Sequence, residues 1–208
     1  MLENDSCWFL AADFDKETWM DDIAAFWKTC QSMGIPIAVE RSRSGNGAHA
    51  WFFFTEPISA NTARAMGCFL ITETMSNRHQ LSMESYDRLF PSQDTLPKGG
   101  FGNLIALPLQ HEPRQKDNTV FLDENFKPYE DQWAFLASVK SIVPGTANKI
   151  ASDAIRVGNM IGVSMGIAEE EREYTLWNRP PSRVQRYVNS MSELSSFNRF
   201  NDIFMLLR

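Results

Sequence analysis

The stretch that most constrains this chain runs from Cys7 to Asp15, an apolar segment that ends in two carboxylates two residues apart, Asp13 and Asp15. Read as a strand, it puts Phe9, Ala11, Asp13 and Asp15 on one face and Trp8, Leu10, Ala12 and Phe14 on the other. Such a strand is buried. Asp13 and Asp15 leave its end pointing the same way, so together they can bridge divalent ions. The pair alone is not diagnostic. It also marks glycosyltransferases and phosphatases, and it is common in solvated loops.

The remaining pattern reads as a sheet covered by helices. Thr18 to Met33 has the periodicity of a helix, with Trp19, Ile23, Trp27 and Cys30 at near-helical spacing, Thr18 and Asp21 placed for a capping box, and Gly34 as the stop. Ile35 to Glu40 and Ala48 to Phe54 read as strands. Ser59 to Met75 reads as a second helix, with Ala63, Met66 and Leu70 on one side. Leu81 to Phe90 and Asn103 to Leu109 read as strands around a polar, Pro- and Gly-rich loop, and Glu130 to Ile142 as a third helix. Uneven alternation with short turns predicts an α+β, two-layer domain with a mainly antiparallel or mixed sheet. The expected division is a core over residues 1–143 and a partly helical extension over 144–208, packed on the same domain. The motifs stop near Pro144.

Composition narrows the class of protein. With 208 residues there is room for one sizeable core. No apolar run approaches the ~20 residues needed to span a bilayer, so no membrane is expected. The first residues lack the basic flank of a signal peptide, and a cytoplasmic location is the default expectation. Cys7, Cys30 and Cys68 are far apart with no CxxC pair, so structural zinc and a disulfide framework are not indicated, and three buried thiols are expected. A net charge of −6 offers no global attraction for nucleic acid, so any such binding must use a local groove and weaken steeply with salt.

Three further segments carry chemistry. Ser44 to Gly47 forms a small-residue loop whose backbone N–H groups can approach phosphate oxygens, with Arg41 and Arg43 as flanking cations and His49 just beyond. His49, Trp51 and Phe53 share one face of the following strand. The plain alternative is a hairpin turn beside a structural His. Tyr86 to Gln93 supplies Asp87, the choice for a third carboxylate; Asp94 competes with it and Glu84 is weaker. Arg88, Gln93, Lys98 and Asn103 are candidate triphosphate or template contacts. His79 and His111 lie in polar stretches without metal-ligand spacing and are expected at the surface. Three hard carboxylates suit Mg²⁺ or Mn²⁺, and two such ions about 4 Å apart are the machinery of phosphoryl and nucleotidyl transfer.

The ordered set is more specific than any member. Asp13-x-Asp15, then Ser44-Gly-x-Gly-x-His49-x-Trp51, then Tyr86-Asp-Arg-x-Phe-Pro-x-Gln93, then Gly102 to Leu109, resembles the catalytic core of the archaeo-eukaryotic primase superfamily over roughly residues 5–143. It looks closest to the primase domain of TOTE conflict systems and to CRISPR-associated primase-polymerases, and Phe121 to Trp133 also resembles the segment directly after the core in the TOTE group. The resemblance implies an RRM-like sheet with helices, to which many members join a smaller N-terminal αβ unit, here expected to be reduced, absent or removed. It implies Asp13, Asp15 and Asp87 as ligands of a two-metal Mg²⁺ or Mn²⁺ centre. It also implies His49, within Gly47-Ala48-His49, as a contact to the nucleotide phosphates. The activity implied is that of a primase-polymerase, a DNA-directed nucleotidyltransferase that adds NTPs or dNTPs on a single-stranded DNA template. Helicase and nuclease modules are expected on the same or a neighbouring chain, in a defence or replication system. The zinc-binding module of many relatives is not visible.

Two other readings predict different behaviour. A catalytically inactive module holding single-stranded nucleic acid on the same sheet would bind equally well with EDTA and incorporate nothing. A DxD glycosyltransferase would hydrolyse sugar nucleotides without a template.

Overall fold

The computed structural model describes residues 1–77, 83–96, 100 and 102–157, the side chains of 155–157 excepted. The chain runs β1 (Ser6–Phe14), α1 (Trp19–Ser32), β2 (Ala38–Arg41), β3 (Ala48–Ser59), α2 (Ala60–Asn77), β4 (Tyr86–Phe90), α3 (His111–Arg114), β5 (Phe121–Leu122), α4 (Gln132–Ser138) and α5 (Pro144–Val157). The strands form one antiparallel sheet in the order β4-β1-β3-β2-β5. Its first six elements are βαββαβ with strand order 4-1-3-2, so the fold is α+β with an RRM-like sheet, and β5 extends the β2 edge.

Alternation along β1 and β3 separates two cores. Leu10, Ala12 and Phe14 join Ala50, Phe52 and Phe54 beneath the helices, where Ile23 and Phe26 of α1, Met66 and Leu70 of α2, and Ala147 and Ile150 of α5 close the layer. On the other face Ala11, Ala38, Trp51, Phe90 and Phe121 are covered by Ile105, Leu109, Phe135, Leu136 and Val139. Trp8 escapes this pattern. The β1–β3 register slips between Cys7 and Phe9, and Trp8 is left partly exposed.

Several expected elements take another form. Asn103 to Leu109 is not a strand: Pro108 has no N–H, and Leu109 sits at φ +59, a left-handed conformation that ends an extended run. The segment instead lays Ile105 and Leu109 across the sheet. The third helix is shorter than its periodicity suggests. Asp131 caps α4 by accepting the N–H groups of Trp133 at 3.0 Å and Ala134 at 2.9 Å, and the helix ends at Ser138. Beyond it Ile142 exchanges backbone hydrogen bonds with β3, donating to Phe53 at 2.7 Å and accepting from Thr55 at 3.0 Å. Within Leu81 to Phe90 the described strand is Tyr86–Phe90; residues 81 and 82 lie outside the described residues.

The capping box of α1 also differs. The Thr18 side chain caps no backbone N–H; its hydroxyl faces Asp22 Oδ2 at 3.3 Å, and Asp22, not Asp21, is the buried acid. Asp22 accepts the N–H of Ser85 at 3.1 Å and its hydroxyl at 2.5 Å, tying α1 to the turn before β4. The three cysteines are free and buried, and burial pushes the Cys7 thiol up to about 11. No helix of the described residues is long and apolar enough to cross a membrane.

Candidate metal and nucleotide site

Antiparallel pairing builds the site as a row across three strands. Asp13 of β1 lies directly opposite His49 of β3, and His49 lies opposite Glu40 of β2. Directly paired residues share a face, so the three side chains stand side by side on the face away from the helices. Asp87 arrives from the other side of β1. There Ala12 pairs with Leu89 and Phe14 with Tyr86, so one β1 residue, Asp13, faces two on β4, Asp87 and Arg88. This is a bulge, a device that re-aims side chains beside active sites. Asp15 follows the end of β1, its N–H held by the Ser85 carbonyl at 2.7 Å.

The result is a cluster in which one oxygen each of Asp13, Asp15 and Asp87 lies within 4.8 Å of the others. Asp13 is half-buried and the other two are exposed. Burial raises the Asp13 carboxyl above its ordinary range; His49 opposes this, and the like charges of Asp15 and Asp87 reinforce it. Asp13 Oδ1 is buried and accepts no hydrogen bond, although His49 Nε2 stands 3.5 Å away. An orphaned carboxylate oxygen inside a set of hard oxygen donors fits a divalent ion such as Mg²⁺ or Mn²⁺.

The Gly loop closes over the end of β1. Ser42 N–H donates to the Gly47 carbonyl at 2.9 Å, and Gly45 turns at φ +81. At Gly47 a Cβ would stand 2.4 Å from the Phe14 carbonyl and 2.7 Å from Asp15 Oδ1, so only glycine lets the loop pack against the carboxylates. Ser44 is occupied within the loop, its hydroxyl 3.1 Å from that of Ser42 and accepting the Asn46 N–H at 3.2 Å. Arg43 is exposed on the same loop.

Other predicted contacts fall elsewhere. Arg41 follows Glu40 and so points to the opposite face, where its guanidinium donates to the carbonyls of Asp117 at 3.0 Å and Phe126 at 3.2 Å. There it pins the 117–126 segment, away from the carboxylate row. Asp94 binds Arg64 at 2.6 Å and Asn61 at 3.1 Å on α2, so Asp87 is the acid that meets Asp13 and Asp15. Arg88 donates to Asp87 Oδ2 at 2.6 Å, beside the cluster. Gln93 and Asn103 line a cavity of about 40 Å³ with Cys7, Phe9 and Phe90. It lies at the start of β1; Phe9 is four residues, or ~13 Å, from Asp13. Gln93 Oε1 is buried there without a partner, and the Asn103 amide donates to the Ser92 hydroxyl. Glu84 is exposed in the turn before β4, and His111 is exposed at the start of α3. Lys98 and His79 lie outside the described residues.

The residue that sequence reasoning missed is Glu40. It has no solvent exposure; its Oε2 lies in hydrogen-bond contact with His49 Nδ1 at 3.0 Å and accepts Trp51 Nε1–H at 2.7 Å. The available signal was a lone acid closing an apolar strand, a few residues from the glycine loop that opens the next one. Burial raises the Glu40 carboxyl, with His49 and Trp51 opposing. Burial pulls the His49 imidazole down, but the hydrogen bond and charge of Glu40, helped by Asp13 and Asp15, outweigh it and hold His49 above its ordinary value.

Fold and site together define an RRM-like α+β domain with a three-carboxylate centre at the end of its first strand. The family model of the TOTE conflict system, archaeo-eukaryotic primase domain, matches residues 1–150, and the chain belongs to that family. The comparison with curated proteins finds no match.

Proposed function

We propose that this domain is a DNA primase-polymerase that joins NTPs or dNTPs to a 3′-hydroxyl on a single-stranded DNA template, as one module of a conflict or defence system beside helicase and nuclease activities. The convergence of Asp13, Asp15 and Asp87 beside a glycine loop and a histidine, in a chain of the primase family, carries this reading. The three carboxylates would hold one or two Mg²⁺ or Mn²⁺ ions, which when bound favour ionisation of the attacking hydroxyl and neutralise phosphate charge. Gly47 keeps the loop close enough to the carboxylates for its backbone to meet a triphosphate. His49 forms the floor of the site, with Nε2 as the donor for a phosphate oxygen. Arg43 and Arg88 add exposed positive charge at its rim. The inactive strand-binding alternative is disfavoured by the cover over the sheet, since Trp51 is only 2% exposed beneath Ile105, Leu109 and Phe135.

The test is template-dependent incorporation of labelled nucleotide, with and without primer, in Mg²⁺ and in Mn²⁺. The pair Asp13→Ala with Asp15→Ala is expected to abolish incorporation while circular dichroism stays unchanged. Primer extension surviving in that variant overturns the assignment.

A further inference from the structure

Glu40 is a buried carboxylate for which packing alone gives no reason. An apolar side chain of similar volume in such a position is often neutral or stabilising, because it avoids desolvating a charge. Here both donors converge on one oxygen, Oε2, while Oε1 is buried without a partner, so the pair is not optimised for stability. Its geometry does accomplish something else. A histidine ring held through Nδ1 has its remaining nitrogen aimed along one direction, and the proton on each nitrogen is set by what the other one meets. In this sheet that direction leads from Glu40 through His49 to Asp13, with 3.0 Å on one side and 3.5 Å on the other. Trp51, on the same face of β3, fixes Glu40 in turn through its indole N–H and packs edge-on against the His49 ring at 6.1 Å.

We propose that Glu40 is a positioning residue: by accepting the Nδ1–H of His49 it presents Nε2–H to the nucleotide phosphates at the carboxylate centre. This role rests on the phosphate contact assigned to His49 under the proposed function. Glu40 does not touch substrate; it acts through His49 alone.

The unsubstituted chain offers a check that needs no variant. With ¹⁵N-labelled histidine, long-range nitrogen–proton correlation is expected to show His49 protonated at Nδ1; a bare Nδ1 overturns the proposal. Kinetics of triphosphate incorporation on a primed single-stranded template then separate the links. Glu40→Gln keeps shape and an acceptor, and is expected to raise KM for the nucleotide about tenfold with kcat within about threefold. His49→Asn keeps a donor near Glu40 but removes Nε2, and its KM is expected to rise at least as much. Adding Glu40→Gln to His49→Asn is expected to change nothing more, the signature of two residues acting as a unit. A further independent rise in the double variant, or an unchanged KM in Glu40→Gln while His49→Asn is impaired, sinks the role of Glu40 alone. An unchanged KM in His49→Asn sinks the phosphate role of His49 and the proposal with it.

Discussion

At the residue scale, the site is governed by how few donors and acceptors are left over. His49 stands between two carboxylates, and its removal would leave the fully buried Glu40 with Trp51 as its one remaining donor among the described residues. His49→Ala is therefore expected to destabilise the chain by about 3 kcal/mol, the usual scale for orphaning one member of a buried ion pair. Adding Glu40→Gln should recover most of that loss. Urea denaturation of the two variants checks the order; equal stability would show that the buried charge is not what the histidine compensates. The same reasoning explains why Gly47 is not interchangeable with alanine. The atoms that a Cβ would meet are a backbone carbonyl and a carboxylate of the acidic cluster, and neither can move away without disturbing the site.

At the element scale, placement of the third carboxylate depends on a tie between α1 and β4. Asp22 holds both the N–H and the hydroxyl of Ser85, and the Ser85 carbonyl holds the N–H of Asp15. One buried acid thus couples the turn before β4 to two members of the acidic cluster, Asp15 directly and Asp87 through the strand that begins next to it. Asp22→Ala is expected to cost about 1–3 kcal/mol, since it leaves buried donors unsatisfied. Hydrogen exchange should quicken at Asp15 and along Tyr86–Phe90 more than in α2. Uniform protection across the sheet in this variant would mean that the tie is not what registers β4. The bulge opposite Asp13 belongs to the same device, because it interrupts regular pairing at Asp87, between the Ala12–Leu89 and Phe14–Tyr86 pairs.

At the scale of the whole molecule, the domain carries charge repulsion at its centre that a divalent ion would relieve. Three carboxylates within 4.8 Å oppose folding when no cation is bound. Mg²⁺ or Mn²⁺ is expected to raise the melting temperature of the native chain, with about 2.7 kcal/mol of added stability at a hundredfold excess over Kd. The chain lacking the Asp13 and Asp15 carboxylates should show no such rise. Differential scanning calorimetry with titrated metal decides it, and an equal rise in both chains would place the ion elsewhere. On the sheet face that carries the site, Ile105, Leu109 and α4 cover the middle, and Asp13, Asp15 and the glycine loop meet at one end.

Local patterns were legible where one short stretch carries its own physics. The alternation of β1 beyond Trp8 and of β3, the apolar side of α2 and the glycine stop of α1 follow from side-chain period and backbone freedom, and they persist in the fold. The acidic residues of the centre were legible as a set because their spacing and order resemble a known family. Long-range partnership was not legible. Arg41 and Glu40 are neighbours in the chain, yet strand alternation turns one toward a distant loop and the other toward the site. Asn103 to Leu109 has the composition of a strand but becomes a cover, because neither Pro108 nor the left-handed Leu109 can continue a ladder. Which strand end an acid reaches, and which histidine nitrogen it orients, depends on register between segments far apart in sequence, and register exists only once the sheet has formed.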